Sequence, residues 1–169
     1  MRLAFCKRAL LWIAVAAVIF IIAATFFSFS PCLVLRDSAN GKIFALWPVD
    51  DHSRFSVEFV HSVNQTPVRD VFMIDGGEIV PVETVFYSFG AGMQTELGEG
   101  QRLRYNEDGS MSITGFTQRL PQLNYIVGTV SDHILRIEEK NVSLRDLCGE
   151  NAAVAITIEK RIQFEFGKS

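Results

Sequence analysis

The sequence predicts an all-β domain, a small sandwich or open barrel, preceded by a single N-terminal transmembrane helix. Three observations carry this. Apolar and polar residues alternate with period two in short runs, as in Arg54 to Val60, where Phe55, Val57 and Phe59 share one face and Ser56 and Glu58 the other. Such runs recur at roughly 10–12 residues with Gly-containing turns between them, the rhythm of sandwiches and barrels. The first 35 residues differ: they hold an uncharged apolar run from Ala9 to Leu35.

The elements follow in chain order. Arg2, Lys7 and Arg8 precede Ala9–Phe29, 21 residues of almost unbroken Ala, Val, Ile, Leu, Phe and Trp. At helical rise this spans about 30 Å, the hydrocarbon thickness of a bilayer. Pro31 to Asn40 reads as a connection, with Asn40-Gly41 as a turn. Lys42 to Trp47 is a first strand and Arg54 to Val60 a second. Arg69 to Ile74 is a third, closed by Asp75-Gly76-Gly77. Glu78 to Ser88 is β-branched and aromatic, and Pro81 marks an edge or a kink. Arg102 to Asn106 and Ser110 to Thr114 flank Asp108-Gly109, a hairpin signal. Asn124 to Val130, Ile134 to Glu138 and Ala153 to Phe166 complete the strands, and Ser143 to Leu147 can form one turn of helix. The expected organisation is 1–30 as cytoplasmic tip and anchor, 31–53 as connection and first strand, and 54–169 as the β domain.

The apolar run is longer than the 7–15 apolar residues or so of a signal peptide. Phe26-Phe27-Ser28-Phe29-Ser30-Pro31 offers no small-residue cleavage site, and Ser30-Pro31 is a poor context for acylation at Cys32. An uncleaved anchor is therefore expected. All its positive residues come first, which keeps the N-terminus cytoplasmic and turns the β domain outward from the inner membrane. With Arg2, Lys7 and Arg8 set aside, the 16 basic and 19 acidic residues of the chain become 13 and 19, a net charge of −6. Such an acidic domain is a poor partner for nucleic acid. Cys6 falls on the cytoplasmic side. Cys32 and Cys148 share the outer compartment, where a disulfide between them could persist, though two separate thiols read equally well.

His61-Ser62-Val63-Asn64-Gln65-Thr66-Pro67-Val68 joins two strands with a His, two hydroxyls, two amides and a Pro. Function concentrates in connections of this kind. Neighbours on a strand face opposite ways, so His61 and Ser62 make poor partners for proton transfer, and no Gly-x-Ser-x-Gly elbow is present. A hydrolase is thus disfavoured and no enzyme is expected. The same residues can also simply satisfy a turn. Ser88-Phe89-Gly90-Ala91-Gly92-Met93 is a second constellation, where Gly90 and Gly92 permit a bend or an anion-binding nest. His52, His61 and His133 are too scattered to signal a metal site, and no cofactor motif appears.

Phe59-Val60-His61-Ser62-Val63, Thr66-Pro67-Val68 followed by Asp70, Gly76-Gly77, Glu83-Thr84, Ser88 to Met93, Asp108-Gly109, Leu120-Pro121-Gln122-Leu123 and His133 together resemble the family called domain of unknown function 1850. The resemblance covers roughly Phe55 to Ile137. Asp70 stands where Glu is usual, Gln94 where Pro is common, and the stretch beyond His133 is peculiar to this chain. The family has no established activity. It implies an accessory role beside TRAP-type solute transporters of the TAXI branch, by contact with the permease or its solute-binding subunit. A module that binds or senses a small organic anion is the alternative. Contact residues expected for either are His61, Ser62, Thr66, Pro67, Gly90, Gly92 and His133, with neither metal nor cofactor.

Overall fold

The structure is a computed structural model that describes Trp12, Val15 and residues 27–62, 65–89 and 96–164. The predicted anchor, Ala9 to Phe29, lies almost wholly outside those residues. Among those described, no helix is long and apolar enough to cross a membrane. The chain divides into two compact units, Pro31–Glu159 and a second made of Met1–Ser30 with Lys160–Ser169. The fold below concerns the first, although its first and last strands run past its ends.

Eleven strands and one short helix are described, in the order β1 (Phe27–Asp37), β2 (Ile43–Pro48), β3 (Arg54–Val60), β4 (Pro67–Asp75), β5 (Glu78–Phe86), β6 (Arg102–Tyr105), β7 (Met111–Thr114), β8 (Gln122–Ile126), β9 (His133–Ile137), β10 (Lys140–Ser143), α1 (Leu144–Cys148) and β11 (Ala153–Phe164). The all-β prediction holds. The strands form two sheets, ordered β2-β1-β11-β8 and β10-β9-β3-β4-β5-β7-β6 among the described residues, and neither closes into a barrel. One cluster of buried side chains takes Leu33, Leu35, Trp47, Leu123, Val154 and Ile156 from the smaller sheet and Phe55, Val57, Phe72, Ile74, Leu135 and Ile137 from the larger. Two facing sheets that share one apolar layer are a sandwich. A second cluster, Val68, Phe86, Met111 and Ile113, fills the layer at one end of the larger sheet.

Two strands escaped the sequence reading. Residues expected to connect, Pro31 to Asn40, instead form most of β1. Cys32, Leu33, Val34 and Leu35 are all fully buried, so both faces of the strand are covered and no alternation marks it. β1 also takes up Phe27 to Phe29, the last residues of the apolar run. β10 is four residues long and pairs with β9 across the Glu138-Glu139 turn. Pro81 produces a kink rather than an edge: β5 lies between β4 and β7, and its register against β4 slips between Val71 and Phe72.

The disulfide open to Cys32 and Cys148 is not formed. Leu33 and Leu35 belong to the core, so alternation sends Cys32 to the other face of β1, whereas Cys148 packs against the core itself. Burial, followed by the charge of Asp37, pushes the Cys148 thiol up to about 11.

A cleft between two strand ends

β3 and β4 pair in register from Arg54–Met73 to Val60–Pro67. Beyond that pair His61 N–H donates to the Thr66 carbonyl at 2.9 Å and Gln65 N–H to the His61 carbonyl at 2.9 Å, which closes the connection. Gln65 adopts φ 53°, a left-handed conformation, and its amide donates to the Ser62 carbonyl at 2.6 Å. Pro67 costs the ladder nothing. The N–H of Val60 opposite it points the other way and donates to Ser131 Oγ at 2.8 Å, so the Val60–Pro67 pair exchanges no hydrogen bonds.

On the far side of β3, His133 opens β9 directly opposite Phe59. The two rings stack with centroids 5.0 Å apart, and Tyr125 leans on the imidazole at 5.7 Å. His133 Nδ1 accepts the Gly128 N–H at 3.3 Å. Burial lowers the pKa of His133, with Asp132 opposing and Arg145 assisting, so the neutral ring is favoured.

These strand ends enclose a cleft of about 340 Å³ lined by Phe59, Val60, His61, Ser62, Gln65 and the 128–133 loop. Three predicted contact residues, His61, Ser62 and His133, thus meet although His133 lies far along the chain. Thr66 and Pro67 do not line the cleft. Thr66 Oγ1 instead sits 3.2 Å from Ser88 Oγ, so the first residue of the glycine-containing segment does touch the His61–Val68 connection. Gly90 and Gly92 lie outside the described residues. On the rim, Val60 is 40% and Val130 82% exposed.

The loop beneath the cleft is held by residues that sequence reading passed over. Asp132 Oδ1 accepts from its neighbour's N–H, that of His133, at 2.7 Å and from the Arg145 N–H at 3.0 Å, while Oδ2 accepts from Ser143 Oγ. Arg145 Nη2 donates to the Gly128 carbonyl at 2.9 Å. Ser143 also caps α1, accepting the Asp146 N–H at 2.9 Å. One carboxylate therefore ties the start of β9 to the start of α1. A signal was present in the run Gly128-Thr129-Val130-Ser131-Asp132, which is rich in loop formers. The partners at 143 and 145 could not be foreseen, because they reach the loop only through the β9–β10 hairpin.

Among the described residues no group of three or more His, Cys, Asp or Glu converges as a metal site. Neither a curated protein nor a solved structure matches the chain. A family model does: domain of unknown function (DUF1850) matches residues 55–144, a span that begins in β3, ends at the first residue of α1 and contains every residue named in the cleft. The chain, matched over more than half its length, belongs to that family.

Proposed function

We propose that this chain is a membrane-anchored, extracytoplasmic accessory domain that acts by protein–protein contact, with the permease or the solute-binding subunit of a TRAP-type transporter of the TAXI branch as its partner. The observation that carries the contact reading is the cleft. It is small, its rim includes exposed Val60 and Val130 beside exposed Ser62, Gln65 and Thr129, and the described lining holds no Lys, Arg, Asp or Glu. Exposed apolar side chains around a concave surface mark interaction sites. The transporter assignment draws on the family resemblance, and the membrane assignment on the apolar run Ala9 to Phe29.

The organic-anion reading has less support. No cation among the described lining residues would balance a carboxylate, and desolvating an unpaired charge is costly. A non-enzymatic role is supported by His133, whose Nδ1 is occupied by a backbone N–H and so is withheld from activating a hydroxyl.

Native-expression pulldown in mild detergent tests the proposal. Full-length protein is expected to bring down a transporter subunit, and Val130→Asp to lose it while keeping its thermal stability. Recovery of no transporter component with the wild type would count against the partner, and undiminished recovery with Val130→Asp against the cleft.

A further inference from the structure

The chemistry of the cleft restricts what can fill it, given the docking reading above. Nδ1 of His133 accepts a backbone N–H at 3.3 Å, so the proton of the neutral ring resides on Nε2. Phe59 stacks on the ring and Tyr125 meets it at a tilt, which together hold its plane. Two other polar side chains of the lining are engaged: Ser131 Oγ accepts from Val60 N–H, and the Gln65 amide donates to the Ser62 carbonyl. His133 Nε2 has no hydrogen-bond partner among the described residues. Nε2 is not a buried unsatisfied donor, so an occupant's acceptor would replace water on it rather than relieve a penalty. Around it stand Phe59, Val60 and Val130. The volume, about 340 Å³, is at the small end of ligand clefts. It suits a side chain with its flanking peptide group better than a large cofactor.

We propose that the cleft receives an uncharged aliphatic side chain together with an adjacent backbone carbonyl from a partner protein, and that the His133 Nε2–H donates to that carbonyl. Val60 and Val130 cover the aliphatic part. His133 supplies direction, because its tautomer is fixed by the Gly128 N–H and its ring plane by the two aromatic neighbours. Specificity then comes from a donor of fixed tautomer beside Phe59, Val60 and Val130. A charged side chain is rejected because it would be desolvated against valines with no counter-ion in the described lining.

The test uses full-length protein in detergent with ¹⁵N-labelled histidine, and N-acetyl-leucinamide as the probe. The ¹⁵N shifts of His133 should report a protonated Nε2 and a bare Nδ1. The probe should shift Nε2 with millimolar affinity, while 4-methylvalerate, which carries a carboxylate instead, should not. His133→Phe should weaken probe binding at least about tenfold, and His133→Gln, which restores an N–H donor, should recover most of it. An Nδ1–H tautomer, equal binding of 4-methylvalerate, or no response to the amide at about 50 mM each overturns the proposal. The tautomer is read on the wild type, so a variant that fails to fold leaves a decisive measurement. Amide binding without copurification of a transporter subunit would sustain this chemistry and reject the partner. Copurification with the wrong tautomer would do the reverse.

Discussion

Asp70 carries a carboxyl group into the layer between the sheets. On β4 it is in phase with Val68, Phe72 and Ile74, all buried, and it sits opposite Val57 and Thr84. Thr84 Oγ1 donates to it at 2.8 Å. Burial raises its pKa, with the Thr84 bond partly offsetting this, and Tyr125 is pushed up by its own burial and then by the charge of Asp70. Because the folded pKa lies above the ordinary value of 3.8, folding takes up a proton here. The contribution to stability therefore declines as pH rises through the folded pKa. His133 works in the opposite sense. Its folded pKa lies below 6.5, so folding releases a proton and its contribution is lost as pH falls below that value. Asp70→Asn should accordingly raise the melting temperature at pH 7, with the gain shrinking as pH falls toward 4. A gain that instead grows on acidification would show that burial of the charge is not what Asp70 costs the fold. The placement of Asp70 was legible. Alternation from Val68 to Ile74 sends it inward, yet it drew notice only as the acidic residue after Thr-Pro-Val. The convergence of His61 with His133 was not legible, since it depends on β9 pairing with β3 rather than with a neighbour in sequence.

At the scale of elements, the 128–133 loop and α1 form one assembly. α1 is five residues long, too short to stand without a cap and a packed face. Ser143 provides the cap, Leu144 is fully buried, and Asp132 and Arg145 pin the loop to the helix start. Gly128 is fitted closely, since a Cβ there would collide with the Ser131 carbonyl oxygen. Gly128→Ala should destabilise the protein by about 1–3 kcal/mol, as overpacking generally does. It should also free Nδ1 of His133. Chemical denaturation reads the first effect and imidazole ¹⁵N shifts the second, and an unchanged His133 signal would mean that the loop relaxes without moving the ring. Element by element, the sequence was most readable where one face is buried. β3 matches its prediction residue for residue, and α1, Leu144–Cys148, lies one residue on from the expected turn Ser143 to Leu147. The asymmetry explains what was missed: β1 is covered on both faces, and β10 is too short to establish a period.

For the molecule as a whole, the order of the described strands leaves four edges, and they are not alike. β6 carries Arg102 and Arg104, β10 carries Lys140 and Asn141, and β8 carries Gln122 and Asn124. Charged or polar side chains on a short edge discourage pairing with other chains. β2, Ile43–Pro48, has no polar side chain, and its Leu46 is 49% exposed. Leu46→Lys is expected to leave the melting temperature nearly unchanged and to reduce self-association of the full-length protein on concentration, read by light scattering. An unaltered scattering profile would show that β2 is not the adhesive edge. The sandwich itself was half foreseen. Period-two runs gave the β class, but the choice between a sandwich and an open barrel rests on which strands β1 and β9 join, and both pairings are long-range.

The bond between Val60 N–H and Ser131 Oγ gives the cleft a fastening of a particular kind. Elsewhere β3 and β9 are held by main-chain groups that can part only when the ladder itself opens. At its last rung the acceptor is a hydroxyl on a rotatable side chain. Turning one χ1 angle therefore releases this one contact, while Asp132 and Arg145 still hold the loop to the end of β10 and the start of α1. The wall of the cleft is thus fastened in part by a side chain, and that fastening is separate from the strand pairing that sets the sandwich register.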